Sequence, residues 1–323
     1  MIGKLAIAGC KNTSVDLING LLDLGFQVDT VITISPEKAE SQSVAGYVDL
    51  RPFLEEKGIH VYTAHKYSLQ SEEDERAIKE LKIDVLLCMG WQRLIPEWFL
   101  SSLGVGAFGM HGSNKPLPHG RGRSPMNWSL IQNKKMFFTH LFQYKPGVDD
   151  GDIVGYQLFD ITVFDNAHTM HLKNLTAMLK LLERELPILL NGSVNTYPQK
   201  DVEPSFYPKR TEEDGIIFWE DSSEDIYNLC RAVTRPFPGA FSFYKSTKIR
   251  IWKCVPFDSH LRWDHAEVGE ICLVFLDGSF IIKTGDLSIL VTEYDKPADL
   301  DLRKGMRLDS NGIKRKQWNN LPI

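Results

Sequence analysis

Short apolar segments rich in β-branched residues alternate with helical segments along the first 110 residues of this chain. Strands are predicted at four places, residues 4–8, 26–34, 59–63 and 83–89. Helical periodicity is clearest at 14–24, which ends at Gly25, and at 72–81. Because strands that alternate with helices form βαβ units, the pattern predicts an α/β fold built on a parallel sheet with helices on both faces.

A further apolar run, residues 104–110, leads directly into His111. Ligands of open α/β sheets bind at the carboxyl ends of the strands, so His111 is predicted just beyond a strand end, at the binding edge. Asp149-Asp150-Gly151 follows 38 residues later. An imidazole beside a carboxylate can exchange a proton, and the carboxylate can fix its tautomer. The residues alone leave two interpretations open, a catalytic pair or surface side chains with a hairpin turn at Asp149.

The sequence pattern changes after a long predicted helix at 166–190. Before it, a helix is predicted at 126–132 and strands at 136–144 and 152–159. Residues 200–211 are polar and contain prolines, which indicates a linker and divides the chain into domains at 1–200 and 201–323. Short strands with turn residues then dominate from 241 to 293, so the second domain is predicted to be small and mostly β, like an OB barrel.

Charge and cysteine content argue against several classes of protein. The chain has 37 Lys and Arg against 42 Asp and Glu, a net charge of −5, so no basic field favours nucleic acid or an anionic membrane. No apolar run approaches the roughly 20 residues that span a bilayer. Its 5 cysteines are far apart and form no C-x-x-C pair, which argues against a disulfide framework or a zinc site. We therefore expect a soluble cytoplasmic protein without a metal.

The order of residues around His111 resembles a known enzyme family. The segment G-M-H-G-S-N-K-P-L-P-H-G-R-G-R-S-P-M-N-W, the later T-H-L-F and the D-D-G-D-I turn are similar to the 10-formyltetrahydrofolate-dependent formyltransferases. M-G-W-Q-R-L-I-P at 89–96 looks like the family's pterin-binding loop, and R-P-F-P-G-A-F at 235–241 looks like the entry to its C-terminal domain. The resemblance covers nearly the whole chain and implies a Rossmann-like N-terminal formyltransferase domain.

The resemblance implies roles for the matching residues. His111 matches the active-site histidine and Asp149 the aspartate that orients it. The residues expected to hold the folate are Gln92, Arg93, Leu94, Ile95, Val148 and Asp149. The implied reaction moves a formyl group from 10-formyltetrahydrofolate to a neutral primary amine through a tetrahedral oxyanion, with no covalent enzyme intermediate. His111 takes the amine proton or donates a hydrogen bond to the oxyanion.

This sequence departs from the family pattern in two ways. The family has Asn two residues before the histidine, where this chain has Gly109, and the loop after His111 is two residues longer. One oxyanion donor is therefore missing, and we expect Asn114 on the longer loop, or backbone N–H groups, to replace it. Arg121 and Arg123 are expected to bind a substrate diphosphate, with the alternative that they are solvated loop charges. Tyr144 is expected to flank a nucleotide.

The acceptor is predicted from charge and from the loop sequence. Residues 201–323 contain 17 Lys and Arg against 20 Asp and Glu, whereas a tRNA-binding domain should be basic. The altered loop resembles the sugar-modifying branch of the family, its pseudaminic-type enzymes in particular. This implies a UDP- or dTDP-linked amino deoxysugar as acceptor, and a homodimer. Methionyl-tRNA formyltransferase, formyltetrahydrofolate hydrolase and a non-catalytic folate- or nucleotide-binding relative are the alternatives.

Overall fold

A seven-stranded sheet organises the N-terminal part of the chain in the computed structural model, which describes residues 3–145, 149–318 and 321–322. The strands of this part are β1 (Leu5–Ala8), β2 (Thr30–Thr33), β3 (His60–Thr63), β4 (Val85–Cys88), β5 (Gly106–Ser113), β6 (Arg121–Gly122), β7 (Met136–Gln143) and β8 (Ile153–Asp160). All except the short β6 form one sheet in the order β3-β2-β1-β4-β5-β7-β8. The helices of the chain are α1 (Asn12–Asp23), α2 (Pro36–Ser41), α3 (Arg51–Glu56), α4 (Glu72–Leu81), α5 (Glu97–Ser102), α6 (Pro125–Ile131), α7 (Ala167–Leu190) and α8 (Ser223–Val233).

The first five strands of the sheet are parallel, as predicted, but the last two are not. β7 runs antiparallel to β5, and β8 runs antiparallel to β7. The β7–β8 pair needs only a short turn, whereas a parallel pair would need a crossover. The sheet is therefore mixed at one edge, and the turn that carries Asp149 connects its two antiparallel strands.

His111 lies inside a strand rather than just beyond one. β5 pairs with β4 only from Gly106 to Gly109, where Cys88 ends the partner strand. Past that point β5 continues beside β7 alone, with His111 directly opposite His140. His111 thus stands beyond the end of β4, at the carboxyl edge of the parallel strands, where ligand sites of such sheets form.

The long helix α7 covers one face of the sheet. Its first turn is closed by a capping box, in which Asn166 and Thr169 each accept a hydrogen bond from the other's backbone N–H. Met178, Leu181 and Leu186 of α7 are buried against strand residues of the same face. Within the described part of the chain, no helix combines the length and apolar character that a membrane crossing requires.

The C-terminal part is a small antiparallel sheet, as predicted. Its strands are β9 (Phe206–Tyr207), β10 (Ala240–Tyr244), β11 (Thr247–Pro256), β12 (Ile271–Val274), β13 (Phe280–Lys283) and β14 (Ser288–Asp295), and all but β9 pair in the order β10-β11-β14-β13-β12. An extended segment bridges the two edges, because Asp309 pairs with Phe243 on β10 while Arg307 pairs with Glu270 just before β12. The segment thus connects the edge strand β10 to the start of the other edge strand, β12, and gives the sheet a barrel-like closure.

The two parts share a hydrophobic core. Leu130, Phe137 and Met170 of the N-terminal part are buried in the same cluster as Trp219 and Ile249. α8 also contributes the buried Arg231, whose guanidinium donates hydrogen bonds to the carbonyls of Thr162 and Asp165. The C-terminal sheet therefore packs directly on the domain that carries His111.

Candidate active site

His111 and Asp149 come together at the edge of the sheet. The His111 ring is buried, and its Nδ1 lies 3.6 Å from a carboxylate oxygen of Asp149. On the other side of the ring, Nε2 lies 2.8 Å from the carbonyl oxygen of Gly120. Since a carbonyl only accepts hydrogen bonds, Nε2 carries the hydrogen, and the neutral ring has its lone pair on Nδ1, facing Asp149. The Gly120 carbonyl, not the expected carboxylate, fixes the tautomer.

This arrangement prepares His111 to take up a proton. The Nδ1 lone pair is the free base, and a proton added there forms an imidazolium beside the Asp149 carboxylate. The site can therefore remove a proton from a bound nucleophile and hold it during a reaction.

The Asp149 turn is held by close contacts. Asp149 itself has a left-handed backbone with φ of 52°, and a Cβ at Gly151 would come within 1.6 Å of the carbonyl oxygen of Gln143. The side-chain amide of Gln199 donates to the carbonyls of Asp149, at 2.7 Å, and Gly151, at 2.9 Å. Sequence reasoning missed Gln199, because a single Gln in a polar linker carries no recognisable pattern.

The loop after His111 is held by the predicted linker. β6 in this loop pairs with β9 in residues 200–211, and the Ser205 hydroxyl accepts from the backbone N–H of Gly120 at 2.9 Å. Gly120 has φ of 72°, and a Cβ there would lie 1.7 Å from the Ser113 hydroxyl. Residues 200–211 are thus packed against the loop, and they position the carbonyl that binds His111.

A cavity of about 260 Å³ opens beside Asp149, and we call it the Asp149 cavity. It is lined by Gln70, Arg93, Leu94, Ile95, Pro96, Glu97, Leu100, Phe142, Tyr144, Lys145 and Asp149. Apolar walls with an Arg and a carboxylate at the rim suit a flat heterocycle with polar edges, such as a pteridine. A larger cavity, about 550 Å³, lies between Trp128, Arg210 and Trp318, but neither His111 nor Asp149 lines it.

The structure brings four of the six expected folate residues to this cavity, namely Arg93, Leu94, Ile95 and Asp149. The guanidinium of Arg93 also stacks on Tyr67 at 4.7 Å. Gln92 is exposed and does not line the cavity; its backbone N–H donates to the Tyr67 hydroxyl at 3.1 Å. Val148 lies outside the described residues.

The other predicted site residues have specific partners. The side-chain carbonyl of Asn114 accepts from the Tyr207 hydroxyl at 2.7 Å, and its NH₂ group can donate to a ligand. Arg121 donates to the Gln199 side chain at 2.7 Å and so connects the His111 loop to the Asp149 turn. Arg123 is exposed. Tyr144 lies in the wall of the Asp149 cavity.

His140, opposite His111, is fully buried. Its Nδ1 donates to the His111 backbone carbonyl at 3.3 Å, and its Nε2 has no partner among the described residues. Burial lowers the pKa of His140 to about 4, although the hydrogen bond to the carbonyl of His111 acts in the opposite direction. A neutral ring therefore supports the backbone of His111.

We expect His140 to make the fold sensitive to acid. Its folded-state pKa of about 4 lies below the usual 6.5, so the unfolded chain binds a proton that the folded chain excludes. Its contribution to the free energy of unfolding is complete above pH 6.5 and is lost as the pH falls toward 4, by about 3 kcal/mol in all. Urea unfolding at pH 7 and pH 4.5 should reveal a smaller acid loss for His140→Gln than for the wild type. The exposed His65→Gln variant is the control, and equal losses in all three proteins would contradict the prediction.

A buried histidine beside a carboxylate and a cavity, at the carboxyl edge of a mostly parallel sheet that packs on a small β sheet, is typical of a ligand site in an α/β enzyme. The particular family follows from comparison with known families. Residues 4–186 match the model described as formyl transferase, and residues 209–301 match the formyl transferase C-terminal domain. The chain belongs to the formyl transferase family.

Solved structures with the same fold include an N-formyltransferase with a bound amino sugar nucleotide, HypX and a methionyl-tRNA formyltransferase. An N-formyltransferase from Helicobacter canadensis, in complex with folinic acid and dTDP-3-aminofucose, is 20% identical with a TM-score of 0.64 over 90% of this chain and 99% of that one. HypX from Aquifex aeolicus with tetrahydrofolic acid is 17% identical with a TM-score of 0.60 over 92% of this chain and 44% of that one, so this chain spans less than half of HypX. Methionyl-tRNA formyltransferase from Clostridium thermocellum is 18% identical with a TM-score of 0.53 over 78% of this chain and 93% of that one.

Proposed function

We propose that this chain transfers a formyl group from 10-formyltetrahydrofolate to the primary amine of a nucleotide-linked amino deoxysugar. The observation that carries this proposal is the His111–Asp149 pair, with the Nδ1 lone pair of His111 facing the carboxylate that also lines the Asp149 cavity. The Helicobacter canadensis enzyme, whose structure contains folinic acid and a dTDP-linked amino sugar, matches over 99% of its own length and supports the choice of donor and acceptor.

The proposed reaction uses His111 to carry one proton. The amine nitrogen bonds to the formyl carbon, and the carbonyl electrons move to oxygen. The nitrogen loses a proton to Nδ1 of His111, and the resulting imidazolium is paired with Asp149. The bond from carbon to the folate nitrogen then breaks, and that nitrogen receives the proton. The products are the N-formyl sugar and tetrahydrofolate, and His111 is neutral again.

The Asp149 cavity is proposed to hold the pteridine of the donor. Leu94 and Ile95 would contact its faces, and Arg93 would meet its polar edge. Leu100 lies in the same wall, so Leu100→Trp should fill the cavity and weaken folate binding about a hundredfold. Fluorescence titration with 5-formyltetrahydrofolate measures this change. Leu276→Trp, at a fully exposed position, is the control, and unchanged affinity in Leu100→Trp would exclude this cavity as the folate site.

The acceptor is tested by competition between substrate classes. The acidic balance of residues 201–323 favours a nucleotide sugar over tRNA. Purified protein should be assayed with 10-formyltetrahydrofolate and UDP- or dTDP-linked 3- and 4-amino sugars, or methionyl-tRNA, and the formylated product identified by mass spectrometry. Turnover on tRNA alone would make the chain a methionyl-tRNA formyltransferase, and folate binding without turnover on any amine would make it a non-catalytic relative.

The division at residue 200, the homodimer and the cytoplasmic location are part of the same proposal. All five cysteines are buried and free, which fits a reducing compartment. Light scattering after gel filtration measures the oligomeric state, and a monomer at micromolar concentration would exclude the homodimer.

A further inference from the structure

Tyr144 occupies the space that a side chain at position 109 would fill. A Cβ built on Gly109 would come within 2.0 Å of Cε1 and 2.7 Å of the hydroxyl oxygen of Tyr144. The amide nitrogen of an asparagine lies about 2.4 Å from its own Cβ, from standard bond lengths. The Tyr144 hydroxyl oxygen and the amide nitrogen of an asparagine at position 109 would therefore lie at similar distances from the Cβ of residue 109.

This hydroxyl is on the reacting side of the sheet. Gly109 and His111 are two residues apart on β5, so they face the same side at a spacing of about 7 Å. Tyr144 also lines the Asp149 cavity together with Asp149. Its backbone N–H donates to the carbonyl of Ala107 at 2.8 Å, which holds the main chain of Tyr144 beside β5.

We propose that Tyr144 is a catalytic residue whose hydroxyl donates the hydrogen bond that stabilises the tetrahedral oxyanion, in place of a side chain at position 109. The proposal rests on the formyl transfer proposed above. It supplies the donor that the sequence left unassigned at Gly109, and it makes Asn114 unnecessary for that role. It also places Tyr144 in the Asp149 cavity, with the formyl donor, rather than beside the nucleotide of the acceptor.

The chemistry of the neighbours suits this role. Burial raises the pKa of Tyr144, and the nearby Cys88 and Asp149 raise it further, so the phenol keeps its proton at neutral pH. Burial also raises the pKa of Cys88, which remains a thiol. The hydrogen bond between the two side chains raises the pKa of Tyr144 and lowers that of Cys88, so the phenol O–H donates to the sulfur. Sulfur is a weak acceptor, and the O–H can turn from it to a developing oxyanion.

Tyr144→Phe tests the proposal, because it keeps the ring and removes only the hydroxyl. The loss of one oxyanion donor should lower kcat about a hundredfold, with KM for the folate changed less than about threefold and the melting temperature unchanged. Tyr294→Phe is the control. It removes a hydroxyl that donates to the Gly278 carbonyl in the C-terminal sheet, so it should keep wild-type turnover. Wild-type kcat in Tyr144→Phe would overturn the inference, whereas a wild-type protein without formyl transfer would overturn the proposed function.

A swap of the two positions provides a second, independent test. Gly109→Asn alone should lose activity, because its side chain collides with the Tyr144 ring. Tyr144→Ala should also lose activity, since it removes the donor. The double variant Gly109→Asn/Tyr144→Ala should regain at least about tenfold in kcat over Tyr144→Ala, because an amide donor returns to the same space. No gain in a folded double variant would contradict the spatial equivalence.

Discussion

Replacement of His111 by glutamine is expected to lower kcat by about three orders of magnitude. The glutamine amide can still donate to the Gly120 carbonyl from the place of Nε2, so the loop should keep its position. The variant lacks the Nδ1 lone pair that faces Asp149. In the wild type, Nδ1 is the ring nitrogen that takes the amine proton, because Nε2 already carries a hydrogen. Steady-state release of tetrahydrofolate with the best amino-sugar acceptor measures the effect.

The controls separate chemistry from folding and binding. His111→Gln should bind 5-formyltetrahydrofolate with wild-type affinity, because the side chain of His111 does not line the Asp149 cavity. His168→Asn, on the exposed side of α7, should keep full turnover. If His111→Gln retains more than about a tenth of wild-type kcat, proton transfer through His111 is not part of the reaction.

The sequence was sufficient to predict the parallel sheet and the positions of His111 and Asp149 relative to it. Alternating strands and helices predict a parallel sheet, and an apolar run that leads into His111 places that residue at the binding edge. The residues alone leave the D-D-G segment at 149–151 as a hairpin turn or part of a catalytic pair, and the family resemblance assigns the catalytic role to Asp149. These features are local, so they are visible in a single sequence.

Contacts between distant segments could not be predicted in the same way. Hydrophobic periodicity does not give strand direction, so the antiparallel pairing of β7 with β5 was unforeseen, and only the hairpin interpretation of Asp149 implied an antiparallel β7–β8 pair. The ring of Tyr144 over Gly109 joins residues far apart in the chain, and only the structure reveals that one fills the volume the other lacks. Gln199 and Ser205, which hold the Asp149 turn and the Gly120 backbone, lie in a segment that looks like an ordinary linker.

Replacement of Asp149 by asparagine is expected to lower kcat by two to three orders of magnitude. The imidazolium formed during the reaction faces the Asp149 carboxylate across 3.6 Å, and the neutral amide of asparagine removes this charge–charge attraction. The amide N–H can also donate to Nδ1 of His111 and occupy the lone pair that must accept the proton.

The turn itself should survive the Asp149→Asn change. Asn tolerates the left-handed backbone found at this position, and Gln199 binds the main-chain carbonyl of residue 149 rather than its side chain. Asp150→Asn changes the neighbouring, exposed carboxylate by the same chemistry and should keep wild-type turnover. Single-turnover kinetics with saturating donor should therefore reveal slow chemistry in Asp149→Asn alone. Equal rates in the two variants would mean that the carboxylate beside Nδ1 does not stabilise the charged ring during formyl transfer.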